Sequence, residues 1–213
     1  MFAKMITDVK GTQGVHQDSA FTGIRKIHYL RYSTLTPEVM IILYIILGLI
    51  AVILLVAAIL PKDFNVSSEI IIEKPHTEVF NYVKHLKNQE KYSVWVMADP
   101  NIKIEYKGTD GTVGFISSWT SENKNVGVGA QEIKAIKEGE RYDVELRFEK
   151  PFKATNQAYT ATTPVDQQRT RVTTVFTGSN PIPMNLMSFM IRKMLLKDMN
   201  QNMKNLKAIL EKQ

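Results

Sequence analysis

RYDVELRFE, residues 141–149, alternates without a break: Tyr142, Val144, Leu146 and Phe148 fall on one side of an extended chain, and Arg141, Asp143, Glu145, Arg147 and Glu149 on the other. Successive side chains of a strand point to opposite faces, so this stretch is a β-strand with one covered and one wet face. Such a strand belongs to an antiparallel sheet. The pattern continues outward in both directions. Upstream, Ile102, Ile104 and Tyr106 alternate with Lys103, Glu105 and Lys107, and Asp110-Gly111 supplies a tight turn. Val113, Phe115, Ser117 and Trp119 form the next strand, and residues 131–137 another of mixed pattern that ends at Glu138-Gly139. Downstream, two strands over residues 153–163 and 169–177 are joined by the turn signal Pro164-Val165-Asp166.

Two helices bracket these strands. Residues 65–73 read as a first strand, with Val66, Ile70 and Ile72 sharing one face with Ser68. After it, Pro75 suits a first helical turn and Glu78 favours a helix N-terminus. Val79, Phe80, Val83 and Leu86 follow at helical spacing. At the other end, Asn180-Pro181-Ile182-Pro183 leads into a long amphipathic helix from Met184 to about Lys212. Its apolar positions include Met187, Met190, Ile191, Met194, Leu195, Met199, Met203, Leu206 and Leu210, mostly three or four apart, and are expected to form one stripe against the sheet. Strands segregated from a terminal helix make the fold class α+β, with the sheet curling around that helix.

Ahead of all this stands an apolar run. Residues 39–60, VMIILYIILGLIAVILLVAAIL, hold no charged side chain, and Glu38 and Pro61-Lys62-Asp63 flank them. As an α-helix the run covers roughly 33 Å, enough to cross the hydrocarbon core of a bilayer. A core helix would show a polar face, and only Tyr44 and Gly48 interrupt this one. A signal peptide has a shorter apolar stretch nearer the N-terminus, although Val56-Ala57-Ala58 has the form of a cleavage site. The reading taken is an uncleaved, single-pass transmembrane helix, with residues 1–38 as a flexible tail and 61–213 as one domain. Arg25, Lys26 and Arg31 before the span, against Lys62 and Lys74 after it, favour an extracytoplasmic domain. A start at Met40 would remove those three residues.

Composition narrows the partners. The chain of 213 residues carries a formal net charge of +6, +2 of it in residues 1–38 and +4 spread along the domain with no basic run interleaved with aromatics. A nucleic-acid footprint is denser, so no nucleic acid is expected; attraction to anionic lipid headgroups is the more economical use of the charge. The absence of cysteine removes disulfides, thiolate catalysis and thiolate metal sites. His76 and His85 lie nine apart, neither three nor four, so no metal pair is expected. Asp99 reads as a turn cap and Glu132 as part of a solvated face before either reads as an acid or base. Ser117, Ser118 and Ser121 stand in no recognisable relation to a histidine, and the glycines at 108, 111, 114, 127 and 129 read as turns and bulges. No catalytic constellation, metal or cofactor emerges, which counts against an enzyme.

Taken in order, several motifs carry a resemblance. They are Pro61-Lys62-Asp63-Phe64 after the apolar run, Pro75 with Val79-Phe80, Trp95 with Asp99-Pro100, and Tyr106 with Gly108, Gly111 and Gly114. Trp119 with Gly127, Gly129, Glu132 and Ile133, then Glu149-Lys150-Pro151-Phe152 and Asn180-Pro181, complete the series. Over roughly residues 62–212 the chain resembles the helix-grip fold of the START-like (SRPBCC) superfamily, and more narrowly the polyketide cyclase/dehydrase-like branch of membrane-anchored bacterial members. The resemblance implies a cavity between the curved sheet and the last helix that holds an apolar small molecule or acyl chain. Trp95, Tyr106, Trp119, Tyr142, Phe148, Met187, Met190 and Met194 are the candidates for its lining. Methionine adapts to varied apolar shapes, and six of the ten lie in the last helix. Three functions follow as expectations: a membrane-tethered binding module for a hydrophobic or amphipathic molecule such as a lipid, quinone or polyketide-like compound; a cyclase/dehydrase-like enzyme acting on one; or a protein-interaction or stress-response module whose cavity is vestigial.

Overall fold

The computed structural model describes residues 36–212. The tail expected over 1–38 therefore lies, up to residue 35, outside the described residues. Helix α1, Pro37–Ile59, is long and apolar enough to cross a membrane by length and composition. From Ile41 to Val56 every side chain is exposed; Ala57 alone in this helix is buried. A compact unit runs from Tyr44 to Gln213 and so contains the C-terminal part of α1.

Strand β1 covers Asp63–Ile72, and α2 covers His76–Val83. Pro75 precedes α2 with an extended backbone, and its carbonyl accepts the amides of Glu78 and Val79. Val79, Phe80 and Val83 are all buried, as the spacing predicts. The stretch holding Tyr92, Trp95 and Met97 joins α2 to the next strand. It forms a 3-10 turn, Leu86–Lys91, and a one-turn helix α3, Val94–Met97.

Six strands follow: β2 Lys103–Lys107, β3 Ile116–Thr120, β4 Val128–Lys137, β5 Arg141–Lys150, β6 Ala154–Pro164 and β7 Thr170–Ser179. With β1 they make one seven-stranded sheet in the order β1-β7-β6-β5-β4-β3-β2, every neighbouring pair antiparallel. The α+β class expected from the alternation is observed. Two details differ. Residues 113–115 are not strand but a turn through Gly114, whose φ of 86° requires glycine, and Phe115 is a buried plug. The mixed pattern over 131–137 has a cause as well: the register of β4 against β5 shifts between Ile133 and Ala135, and an extra residue there reverses the alternation.

Helix α4, Ser188–Leu210, closes the chain, after a 3-10 turn over Met184–Met187 that takes the place of its expected first turn. Pro181 and Pro183, which lack an amide hydrogen, keep the approach from being regular helix. Met199, Met203, Leu206 and Leu210 are the buried stripe of α4. Polar side chains fix this helix in place: Ser68 Oγ donates to Asn200 Oδ1 at 2.6 Å, the Val94 amide to Asn202 Oδ1 at 2.7 Å, and Lys207 Nζ to the Ile71 carbonyl at 2.9 Å. Asn205 Nδ2 donates to the Tyr92 carbonyl at 3.0 Å. Before the helix, Asn185, only 2% exposed, donates through Nδ2 to the carbonyls of Ala57 at 2.6 Å and Leu60 at 3.0 Å. The last carbonyls of a helix have no partner within it, and here a side chain 128 residues away in sequence supplies one.

Candidate functional site on the concave face of the sheet

Strand pairing sets the inward face. Ser68 stands opposite Thr174, Thr174 opposite Thr160, and Thr160 opposite Tyr142. Ser68 also bonds α4, so the residues sharing its side of each strand form the face that grips the helix. On β5 that face carries Tyr142, Val144, Leu146 and Phe148; on β3 it carries Ser117 and Trp119. Packing along it is graded. At the end beneath the C-terminal half of α4, Ile72, Val172, Ile133, Tyr142 and Val144 join Val79, Phe115, Met203, Leu206 and Leu210 in a closed core. At the opposite end, where β1 begins, the inward side chains Phe64, Trp119, Leu146, Phe148 and Phe176 are only partly buried.

That open end is a mouth with aromatic walls. Phe64 and Phe176 stack with centroids 6.3 Å apart, and Trp119 meets Phe148 edge-on at 5.8 Å. The floor between them is small. A Cβ on Gly129 would lie 2.5 Å from the Trp119 ring, and one on Gly178 would lie 2.7 Å from the Phe64 ring. Both aromatics thus rest on backbone, which only glycine permits. The Trp119 indole nitrogen donates to the Val126 carbonyl at 3.3 Å, which fixes the ring. A depression of about 220 Å³ at this end is lined by Asp63, Phe64, Asn65, Thr177 and Arg192. A larger one, about 560 Å³, lies away from the concave face at the β6–β7 turn, among Glu73, Asp166, Gln167, Gln168 and Arg169.

Between core and mouth runs a polar belt. The hydroxyls of Thr160 and Thr174 are 2.9 Å apart, Tyr142 stands opposite Thr160 across β5 and β6, and Gln131 Nε2 donates to Gln89 Oε1 at 2.7 Å. Ser68 and Ser117 continue it on either side, opposite Thr174 and Gln131. Burial pushes the pKa of Tyr142 up, and that of Tyr92 well up, so both stay neutral phenols. The Tyr82 hydroxyl is buried without a partner among the described residues. The belt offers hydroxyl and amide hydrogen bonds and contains no carboxylate or imidazole. It can orient a polar group; it is not equipped as an acid–base pair.

The eight side chains singled out from sequence do not share one place. Trp119 and Phe148 line the mouth, while Tyr142 sits deep with its hydroxyl in the belt. Tyr106 shares the concave face but stacks on Phe115 at 5.7 Å and gives its hydroxyl to Glu90. Trp95 lies on α3, partly buried. Met187, Met190 and Met194 do not line the concave face: they are 48%, 67% and 58% exposed. The physical reason is that Ile191 and Leu195, partly buried and in four-residue register with Met199, carry the stripe, while Met190 and Met194 lie one residue earlier, about 100° round the helix, and Met187 precedes α4 in the 3-10 turn. Sequence reasoning passed over Phe64, Phe176, Gln89, Gln131, Thr160 and Thr174. Ser68 on an otherwise apolar face was the visible sign of the belt.

The remaining polar candidates are structural. Asp99 accepts from Ser121 and from the Asn101 amide at 2.9 Å, which lowers its pKa and makes it a turn cap. Glu132 lies on the outer face, where the Arg147 guanidinium 2.8 Å away lowers its pKa. His76 and His85 are partly buried: His76 Nε2 lies 2.9 Å from the Thr162 hydroxyl, and His85 Nδ1 lies 2.7 Å from the Asn81 carbonyl. Among the described residues no group of three His, Cys, Asp or Glu side chains is placed to hold a metal ion.

A seven-stranded antiparallel sheet around a long C-terminal helix is the helix-grip fold, the fold class expected from the sequence. Solved structures that share it include norcoclaurine synthase from Thalictrum flavum in complex with dopamine and hydroxybenzaldehyde, a Bet v1-like protein of the START/SRPBCC superfamily. It is 12% identical, with a TM-score of 0.55 over 74% of this chain and 92% of that one. A conserved protein from Geobacillus kaustophilus is 15% identical, with a TM-score of 0.53 over 70% and 96%. A protein from Arthrobacter aurescens is 14% identical, with a TM-score of 0.51 over 72% and 88%. No protein-family model and no curated protein matches the sequence.

Proposed function

We propose that this chain is a membrane-tethered binding module for a hydrophobic or amphipathic small molecule of lipid, quinone or polyketide-like character. The observation that carries the reading is the graded concave face, closed at one end and open at the other. The open end has aromatic walls, from Phe64, Phe176, Trp119 and Phe148, around a floor of Gly129 and Gly178, with a polar belt behind it. Apolar surface left partly exposed in this way is stabilised by any ligand that removes it from water, at about 25 cal/mol per Å². In the proposed pose the ligand's apolar part lies against Trp119, Leu146 and Phe148, and its polar group reaches the hydroxyls and amides of the belt. The position of α1 next to β1, with Pro61 and Lys62 alone between Leu60 and Asp63, supports delivery from a bilayer. So does the sequence resemblance to the membrane-anchored, polyketide cyclase/dehydrase-like branch. The excess of Lys and Arg before the span favours an extracytoplasmic domain. The test is mass spectrometry of organic extracts from the purified full chain and from a Phe148→Ser chain. A near-stoichiometric apolar compound with the first and its loss with the second is the expected result. No bound compound, together with no saturable binding of an added fatty acid, would overturn the reading.

A further inference from the structure

Large apolar side chains are exposed beyond α1, and their distribution is uneven. Phe189 is 78% exposed, Phe152 69%, Met190 67%, Met194 58% and Met97 50%. All belong to the end of the sheet where β1 begins. Asp63, the first residue of β1, pairs with Ser179, the last of β7. Phe152 lies in the turn between Lys150, the end of β5, and Ala154, the start of β6, and so at that same end. Met97 precedes Ala98, whose carbonyl accepts from Asn123 in the β3–β4 loop. Phe189 and Met190 open α4, just after Asn185, whose amide holds the carbonyls of Ala57 and Leu60. The turns at the opposite end expose only Val113 and Val165 in the same way.

The charge beside this rim is basic. Lys150, Lys153, Arg192, Lys193 and Lys197 are exposed, and none takes part in an ion pair among the described residues. Their nearest acidic neighbours in sequence are Glu149 and Asp198. Exposed aromatic and methionine side chains with long basic ones between them suit the headgroup layer of an anionic bilayer. There apolar groups enter about 5–10 Å and ammonium groups remain at the phosphates. The bond from Asn185 fixes where that layer would lie, because it joins the start of this surface to the last carbonyls of α1.

We propose that the rim made by Phe152, Met97 and the outer face of the first turns of α4, with Phe189, Met190 and Met194, docks on the surface of an anionic lipid bilayer. This orients the mouth toward the membrane. The proposal rests on α1 being a bilayer span, and the experiment separates the two. Because the sequence has no cysteine, single labels are clean. Phe152→Cys, Met190→Cys, the far-end control Val165→Cys and the span reporter Leu49→Cys are made in the full chain. Each is labelled with an environment-sensitive fluorophore and reconstituted in phosphatidylcholine vesicles with and without phosphatidylglycerol. Lipids with a nitroxide near the headgroup then quench labels in the interface, and lipids with a nitroxide deep on the acyl chain quench the label at 49. The expected result is severalfold stronger shallow quenching at 152 and 190 than at 165, greater with phosphatidylglycerol than without. Deep quenching at 49, with 152 and 190 no more quenched than 165, would overturn docking while the span stands. No quenching at 49 would overturn the span and docking together. Labels at 152 and 190 shielded from both lipid and aqueous quenchers would assign the rim to a protein partner or a second copy and overturn the proposal.

Discussion

Replacing Leu206 and Phe148 by alanine, one at a time, distinguishes the closed end of the concave face from the open one. Leu206 is 2% exposed and lies within the cluster that includes Ile72, Val79, Val172 and Met203. Its truncation leaves an enclosed void, so the lost transfer energy and the cavity term add to roughly 3–4 kcal/mol. Phe148 is only partly buried, and the space left by its ring joins the mouth, where no closed void forms. Its cost is therefore the smaller transfer term alone, about 1–2 kcal/mol. At about 2–4 °C per kcal/mol for a chain of this size, Leu206→Ala lowers the melting temperature by roughly 6–16 °C and Phe148→Ala by roughly 2–8 °C. The assay is thermal unfolding of the full chain in detergent, followed by near-ultraviolet circular dichroism, with ligand retention measured on the same preparations. Phe148→Ala is expected to lose ligand while Leu206→Ala, below its own transition, keeps it. If Phe148→Ala proves as destabilising as Leu206→Ala and ligand retention is unchanged, the mouth is ordinary core and the reasoning fails.

Thr160→Val leaves the Thr174 hydroxyl short of its partner, and denaturant titration should show a loss of about 1–3 kcal/mol. Asn185→Ala strips the partner from the Ala57 and Leu60 carbonyls, and cleavage near Leu60 in limited proteolysis should rise severalfold. Tyr92 and Tyr142 have folded-state pKa values above the ordinary 10.0 because burial disfavours the phenolate. Their contribution is fully present below pH 10 and is lost as pH climbs from there through the folded values, so stability must fall in alkali. In a spectrophotometric titration these two phenols should ionise only with unfolding, and Tyr142→Phe should make the alkaline fall shallower.

Most of the sheet could be read from the chain because its two faces meet different solvents. Residues 141–149 alternate since Tyr142 and Val144 are buried while Arg147 pairs with Glu132 and Glu145 outside. Where the backbone departs from regular pairing, that signal fails. The bulge near Ile133 reversed the pattern of β4, and the turn at Gly114 placed Phe115 as a plug where continued alternation suggested strand. The helical stripe misled for a different reason. Adjacent apolar pairs, Met190-Ile191 and Met194-Leu195, both fit a spacing of three or four, but Ile191 and Leu195 continue the stripe to Met199 and leave the methionines about 100° round on the exposed side. The belt was half legible, because a serine or threonine on an apolar strand face shows in sequence while its partner across the sheet does not. Asn185 could not be read at all, since its partners lie 128 and 125 residues away.

Trp119 provides the most direct measurement of whether the mouth receives an apolar molecule. With Trp95→Phe it becomes the only tryptophan in the chain. The full chain in lipid nanodiscs is titrated with a short brominated fatty acid below its micelle concentration, and the indole fluorescence is followed. Saturable quenching that the unbrominated fatty acid reverses is the result predicted for a ligand lying against Trp119 and Phe148. Quenching that rises linearly without saturation, unaffected by the competitor, would contradict a binding site on the concave face.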